Sequence, residues 1–204
     1  MTKRILVYGD SNVWGQKSGG GRYESRQQWT NILQQHLGDD YEIIQSGVYA
    51  RIAGDYDTQD AFRNGKTSYE VAYVMAFPVQ YVIVALGSND LKEKYHRSAQ
   101  DIYADLMWYG EATREYQVHD RNKFSRDSDT KVLFLAPPNF VVHANGHGLS
   151  ESTRQELNQL LVASEYPVVV IDDLKLGDDG AHFTAEDHET VAQRVYEKLK
   201  EIET

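Results

Sequence analysis

The sequence predicts an α/β fold, a three-layer α/β/α sandwich around a five-stranded parallel sheet. Three observations predict it. Five short apolar runs recur along the chain, near residues 4–8, 41–45, 81–86, 132–136 and 168–171. Segments of helical periodicity separate them. The runs stop at Gly, Ser, Pro or Asp, the residues that favour turns. Strands alternating with helices imply a parallel sheet covered on both faces. Right-handed crossovers and short connections leave few topologies. The flavodoxin-like strand order 2-1-3-4-5 is the expected one, in a single domain over residues 1–204.

Each element has its own signal. The first strand covers about Arg4 to Tyr8 and stops at Gly9-Asp10-Ser11-Asn12. The segment from Asn12 to Glu24 is polar and Gly-rich, so a flexible loop is expected. It contains Gly19-Gly20-Gly21 without either phosphate-cradle spacing. Ser25-Arg26-Gln27-Gln28 has the spacing of a capping box. The helix it opens carries Trp29, Ile32 and Leu33 inward and ends at Gly38. The second strand, Tyr41 to Gln45, ends at Ser46-Gly47. A long aperiodic loop from Val48 to Gly65 follows, and such loops are often functional. A second capping box, Thr67-Ser68-Tyr69-Glu70, opens a helix whose inward stripe is expected to be Val71, Val74 and Met75.

The third run, Tyr81 to Leu86, is apolar throughout, as a central strand buried on both faces requires. It ends at Gly87-Ser88-Asn89-Asp90. A helix over about Ser98–Tyr116 buries Ile102, Leu106 and Tyr109, and a polar excursion occupies His119 to Thr130. The fourth strand, Val132 to Ala136, stops at Pro137-Pro138. A loop with His143 and His147 leads to a helix near Glu151–Ser164. The fifth strand, Val168 to Ile171, ends at Asp172. After Asp178-Asp179-Gly180-Ala181-His182-Phe183, Thr184 caps a last helix that turns Val191, Val195, Leu199 and Ile202 inward.

Composition excludes several functions. A formal net charge of −10 argues against nucleic-acid binding, which rests on neutralising phosphates. There is no cysteine, which removes disulfides, thiolate catalysis and Cys-based metal sites. No apolar run approaches the ~20 residues that span a bilayer. Lys3-Arg4 leads straight into a strand without a signal-peptide core, so a cytoplasmic protein with no membrane partner is expected. His143 and His147 lack a neighbouring acid cluster and read as surface residues rather than a zinc site. No metal and no cofactor is expected.

The chemistry-bearing residues follow strand ends. Ser11 comes after the first strand, Gly47 after the second, Asn89 after the third, and Asp179 with His182 after the fifth. In a parallel sheet these ends share one edge, where ligands bind. A Ser hydroxyl needs a base to become a nucleophile, and His suits that task near neutral pH. Asp179, three residues before His182, can orient its imidazole; the spacing favours it over Asp178. The N–H groups of Ser11 and Gly47 and the Asn89 amide would hold a developing oxyanion. Asp10 fits a turn-stabilising role or a place beside substrate. Trp14 is a candidate pocket wall. Arg51 is a candidate for substrate or subunit contact, with a surface ion pair as its plainer reading. Asp90 reads first as a local helix cap.

These blocks resemble the SGNH (GDSL-type) hydrolase family. The matching residues are Gly9-Asp10-Ser11-Asn12, Gly47, Gly87-Ser88-Asn89-Asp90 and Asp179-Gly180-Ala181-His182. A narrower resemblance, to the arylesterase and acyltransferase branch, rests on Gly9 to Gly15, Gly47 to Arg51, Pro137-Pro138 and Asp179 to Thr184. It implies a Ser11–His182–Asp179 triad and an oxyanion hole of Ser11, Gly47 and Asn89. It also implies short-chain, acetyl-type ester substrates, acyl transfer to alcohols and a homo-oligomer. The first block departs from the family by carrying Asn12 where Leu is common, a change beside the nucleophile that a triad should tolerate. The second block has no Asn close after Gly47. Rival readings are a carbohydrate O-deacetylase, a thioesterase or lysophospholipase, and a non-catalytic flavodoxin-like binding module. The expected partner is a small acyl ester, such as an acetylated sugar or an aryl ester.

Overall fold

A computed structural model of the chain describes residues 2–118, 129–140 and 148–203. Five strands, β1 (Lys3–Gly9), β2 (Tyr41–Gly47), β3 (Tyr81–Ala85), β4 (Lys131–Leu135) and β5 (Val168–Val169), form one sheet in the order β2-β1-β3-β4-β5. Every pairing is parallel. This is the order read from the sequence. The fifth strand is shorter than expected. Its last ladder contact is Ala136 N–H donating to Val169 O at 3.0 Å. The next residues on that side are Pro137 and Pro138, which have no N–H to continue the ladder.

Among the described residues six α-helices follow in chain order: α1 (Ser11–Trp14), α2 (Trp29–Leu37), α3 (Gly65–Ala76), α4 (Ala99–Val118), α5 (Glu151–Val162) and α6 (Ala185–Glu203). Alternation along β1 and β3 sends side chains to two separate cores. Ile5, Val7, Ile83 and Leu133 pack with Trp29, Leu33, Val191 and Val195 of α2 and α6. Leu6, Tyr8, Val82 and Val84 pack with residues of α3, α4 and α5. Ile102, Leu106 and Tyr109 are buried, as are Leu157 and Leu161 of α5.

Several local expectations are corrected. The Asn12–Glu24 segment holds one turn of helix, α1, closed by Gly15 in the left-handed region. It then forms a loop pinched by a Gln16–Arg22 bridge. Ser25–Gln27 is a 3₁₀ turn, and α2 starts only at Trp29. Its first N–H donates to His188 Nδ1 (3.2 Å), so an imidazole from α6 does the work assigned to the capping box. The α3 helix starts two residues before Thr67. The Thr67 N–H and hydroxyl donate to Asp55 Oδ1 at 3.0 and 3.2 Å.

The α3 stripe is also reversed. Val71, Val74 and Met75 are exposed, at 62%, 44% and 79%, while Tyr69, Tyr73 and Ala76 are buried. Tyrosine explains this. Its ring buries more apolar area than valine, provided the hydroxyl finds a partner. Tyr69 pairs with Thr113 (2.5 Å), and Tyr73 with Thr130 (3.2 Å). Tyr8 and Tyr109 donate to Gly65 O (2.6 Å) and Ala53 O (2.8 Å). The expected cap at Thr184 forms, and Ser98 supplies another. Ser98 Oγ accepts from Asp101 N–H, and Thr184 Oγ1 accepts from Asp187 N–H, both at 3.1 Å. Among the described residues no helix is long and apolar enough to cross a membrane.

The register aligns Gly9 with Gly47 and with Ala85. The strands therefore finish in one row, and α1 lies across it. A Cβ on Gly47 would collide with the Trp14 amide nitrogen and lie 2.7 Å from both Trp14 Cα and the Val13 carbonyl carbon. Gly47→Ala is expected to cost about 1–3 kcal/mol through overpacking. Thermal unfolding checks this, with Tm falling about 2–4 °C per kcal/mol in a chain of this length.

His188 gives a second prediction. Burial lowers it from the usual 6.5 to about 4, against the pull of Asp187. The unfolded chain takes up this proton near 6.5 and the folded chain only near 4. Stability contributed by the neutral ring is therefore complete above 6.5 and is lost on acidification toward 4, by about 3 kcal/mol. Asp10 and Asp90, pushed up to about 6 by burial, act oppositely over the carboxylate range. The measurement is thus a difference. Denaturant unfolding from pH 7 to 4 should destabilise the wild type about 3 kcal/mol more than His188→Gln, whose amide oxygen can still accept the Trp29 N–H.

Candidate active site

The row of strand ends assembles the polar residues predicted to meet. Asp10 follows β1 as the N-cap of α1, its Oδ1 accepting from Asn12 N–H at 2.9 Å. Ser11 is the first residue of that turn, and its Oγ lies 3.1 Å from His182 Nε2. The other ring nitrogen, His182 Nδ1, is 2.6 Å from Asp179 Oδ2. Asp179, rather than Asp178, makes this contact. Hydroxyl, imidazole and carboxylate thus stand in line, with Ser11 and His182 at 7% exposure.

The loop carrying His182 is held by many short bonds. Asp179 Oδ1 accepts from Ala181 N–H (3.1 Å) and His182 N–H (3.0 Å). Gly177 N–H donates to His182 O at 2.7 Å, and Ser18 Oγ accepts from Asp179 N–H at 3.0 Å. The Asp187 carboxylate accepts from the backbone of Lys175, Leu176 and Thr184. Burial pushes Asp179 up, but the bonds from the His182 ring and from two backbone N–H groups outweigh it and hold the carboxyl at about 2. Asp179 is therefore ionised at neutral pH.

Asn89 lies in the 3₁₀ turn Asn89–Leu91 after β3. Its Nδ2 donates to Arg51 O (3.2 Å) and Asp10 Oδ2 (3.3 Å). Gly47 ends β2 behind α1 and is not among the residues that line the cavity described below. Asp90, at 0% exposure, is not a helix cap. Its carboxylate accepts from Ala53 N–H (2.9 Å) and Tyr56 O–H (2.5 Å), fixing the long loop after β2. Arg51 is not in a surface ion pair. It is buried, donates from Nη1 to Gly9 O (3.1 Å) and Ser46 O (2.6 Å), and lies 4.1 Å from the Tyr8 ring centroid. Trp14 is not among the residues that line the cavity, and the Arg22 guanidinium lies over its ring at 5.1 Å.

A cavity of about 140 Å³ opens over Ser11 and His182. Asp10, Asn89 and Ala50 form part of its wall, and Ala50 has a positive φ of 57°. A non-glycine residue in that region is uncommon, and such strain gathers at functional sites. Sequence reasoning did not single out Gln16, Lys92, Phe140 or Leu149, which also line the cavity. For Lys92 a signal existed, since it lies one turn beyond Asn89. His143 and His147 lie outside the described residues, as do positions 119–128 of the polar excursion. Among the described residues, no group of three or more His, Asp or Glu converges as a metal site would.

Comparison with known proteins identifies the family and the fold. A family model described as GDSL-like lipase/acylhydrolase matches residues 5–195. No relative is found among curated protein sequences. Among solved structures, the chain is similar to Est24, a carbohydrate acetylesterase from Sinorhizobium meliloti. Identity is 27% and the TM-score 0.84, covering 98% of this chain and 100% of that one. It is also similar to the aryl esterase of M. smegmatis, at 25% identity and TM-score 0.83, over 98% and 99% of the two chains. The lipase/acylhydrolase from Enterococcus faecalis shares the fold, with 14% identity and TM-score 0.69 over 98% and 96%. The strand ends, the cleft above them and the matched span lead to one assignment: this chain belongs to the GDSL-like lipase/acylhydrolase family and is a carboxylic ester hydrolase.

Proposed function

We propose that the protein hydrolyses short-chain, acetyl-type esters through a Ser11–His182–Asp179 triad. The observation that carries this reading is the continuous relay, 3.1 Å from Ser11 Oγ to His182 Nε2 and 2.6 Å from Nδ1 to Asp179, beneath a small cavity. Its volume of about 140 Å³ is well below the ~300–1,000 Å³ of sites that bury drug-sized ligands. It suits an acyl group of few carbons.

His182 Nε2 takes the Ser11 proton as Oγ attacks the ester carbonyl. The carbonyl π electrons move onto oxygen. The Ser11 N–H and the Asn89 amide, whose residues line the cavity, stabilise that oxyanion. At Asn89 the oxyanion competes with Asp10 for the longer of two resting hydrogen bonds, at 3.3 Å. Collapse expels the alkoxide, which takes the proton from His182 and leaves as alcohol. Water then attacks the acyl-enzyme, again giving its proton to His182. The acid departs and Ser11 regains its hydrogen. An alcohol in place of water gives acyl transfer. Acetylated carbohydrates and aryl acetates are the substrate classes suggested by the proteins this chain resembles.

The test is turnover of p-nitrophenyl esters from acetate to octanoate. Rates are expected to fall as the chain lengthens, and Ser11→Ala to lose about 10³-fold or more. Wild-type rates in Ser11→Ala overturn the mechanism; a maximum at long chains overturns the substrate class. Asp179→Asn keeps the shape but lets the ring adopt the wrong tautomer. Its kcat is expected to fall by up to about 10⁴-fold, measured on p-nitrophenyl acetate beside a thermal melt showing a folded protein.

A further inference from the structure

Asn12 stands beside Ser11, and its side chain reaches across to the segment that carries His182. Its Nδ2 donates to Ala181 O at 3.2 Å, and its Oδ1 accepts from Phe183 N–H at 3.1 Å. The two backbone groups flank His182 on either side and lie 169 and 171 residues away in sequence. One amide thus pairs with two peptide groups as a neighbouring strand would. Asn12 is only 8% exposed, and its own N–H is fixed by Asp10 Oδ1 at 2.9 Å.

From this bracket we infer that Asn12 is a positioning residue that sets the distance between Ser11 and His182. The inference rests on the triad reading above. The contacts form a closed ring. Ser11 and Asn12 are adjacent in α1, Asn12 grips the backbone on both sides of His182, and the His182 ring returns to Ser11 Oγ. Of the other bonds on this loop, those from Asp179 and Asp187 fix its shape and its junction with α6, and Ser18, on the segment after α1, holds the Asp179 N–H. Asn12 binds from within the turn bearing Ser11 itself, and it does so on both sides of His182. Leu, common at this position in the family the chain resembles, matches Asn in size but supplies neither donor nor acceptor. In this chain it would leave Ala181 O and Phe183 N–H without their partner. Misplacing reacting groups by about 1 Å can cost on the order of 10²-fold in rate.

Acylation and deacylation both use His182, so loosening the bracket should lower kcat and leave KM nearly unchanged. The experiment compares wild type, Asn12→Leu and Asn12→Asp with p-nitrophenyl acetate. The Asp variant keeps the acceptor for Phe183 N–H and, when ionised, loses the donor to Ala181 O. The expected result is a kcat loss of about 10²-fold in Asn12→Leu and a smaller loss in Asn12→Asp, with KM within about twofold of wild type. The low-field proton signal of His182 Nδ1 should broaden in the same order. A kcat within about threefold of wild type in folded Asn12→Leu overturns the inference. If that variant fails to fold, wild-type kcat in Asn12→Asp overturns it. A fall in kcat that merely tracks lower Tm, with the His182 signal unchanged, assigns Asn12 to general stability and also overturns it. Wild-type turnover that survives Ser11→Ala is a separate result and removes the triad reading itself.

Discussion

The turn of helix that carries Ser11 rests on the ends of β1 and β2, and the rest of the site depends on that contact. At Gly47 the helix backbone occupies the space a side chain would need. At Gly9 a Cβ would meet Val13 and lie 2.6 Å from Ala85 O. Two glycines, level with each other in the parallel register, therefore let the backbone descend onto the sheet edge. With α1 at this height, Asp10 reaches Asn89 and Ser11 reaches His182. A helix lifted by one methyl group on either strand would break both contacts. The glycines act here through the volume they leave empty, since neither has a positive φ.

The same strand ends hold carboxylates that their surroundings drive apart. Asp179 receives an imidazole and two backbone N–H groups and is held at about 2. Asp10 and Asp90 are almost fully enclosed, and burial pushes each up to about 6 in spite of the donors they meet. Environment sorts the roles, as it does wherever neighbouring carboxyls share a site. The low group keeps its negative charge beside the His182 imidazole. The raised groups suit fixed positions in a network. Asp10 caps α1 and holds the Asn89 amide, while Asp90 clasps Ala53 and Tyr56.

The sheet order and the convergence of Ser11, Asn89, Asp179 and His182 were legible in the sequence. Ser11 and Asn89 lie just after strands, Asp179 and His182 end the loop that follows β5, and a parallel sheet brings all such ends to one edge. The cap at Thr184 was legible because its partner stands three residues away. What escaped were features whose cause is distant. The start of α2 is bound by His188, 159 residues downstream, which no local pattern around Ser25 announces. The inner face of α3 was misread because valine and methionine outrank tyrosine in hydrophobicity. The tyrosines are nevertheless buried, and their hydroxyls meet acceptors on other elements. Asn12 was read as a tolerated departure because its two partners lie at the far end of the chain. Arg51 looked like a surface charge because nothing local shows that Gly9 and Ser46 turn their carbonyls toward it.

Arg51 shows why the long loop after β2 belongs to the site, although its length alone would allow it to be a surface excursion. One guanidinium nitrogen bonds carbonyls at the ends of both β1 and β2. The plane of the group covers Tyr8, whose hydroxyl reaches the start of α3. The Arg51 carbonyl in turn accepts from Asn89, and two residues on, Ala53 N–H is bound by Asp90. The loop thus has no freedom to move Ala50 or Tyr49, which line the cavity, without disturbing the Asn89 amide. The cavity-lining part of the loop and the Asn89 amide are therefore coupled through one buried cation. A charge that makes no contact with substrate can in this way set the shape of the site that receives it.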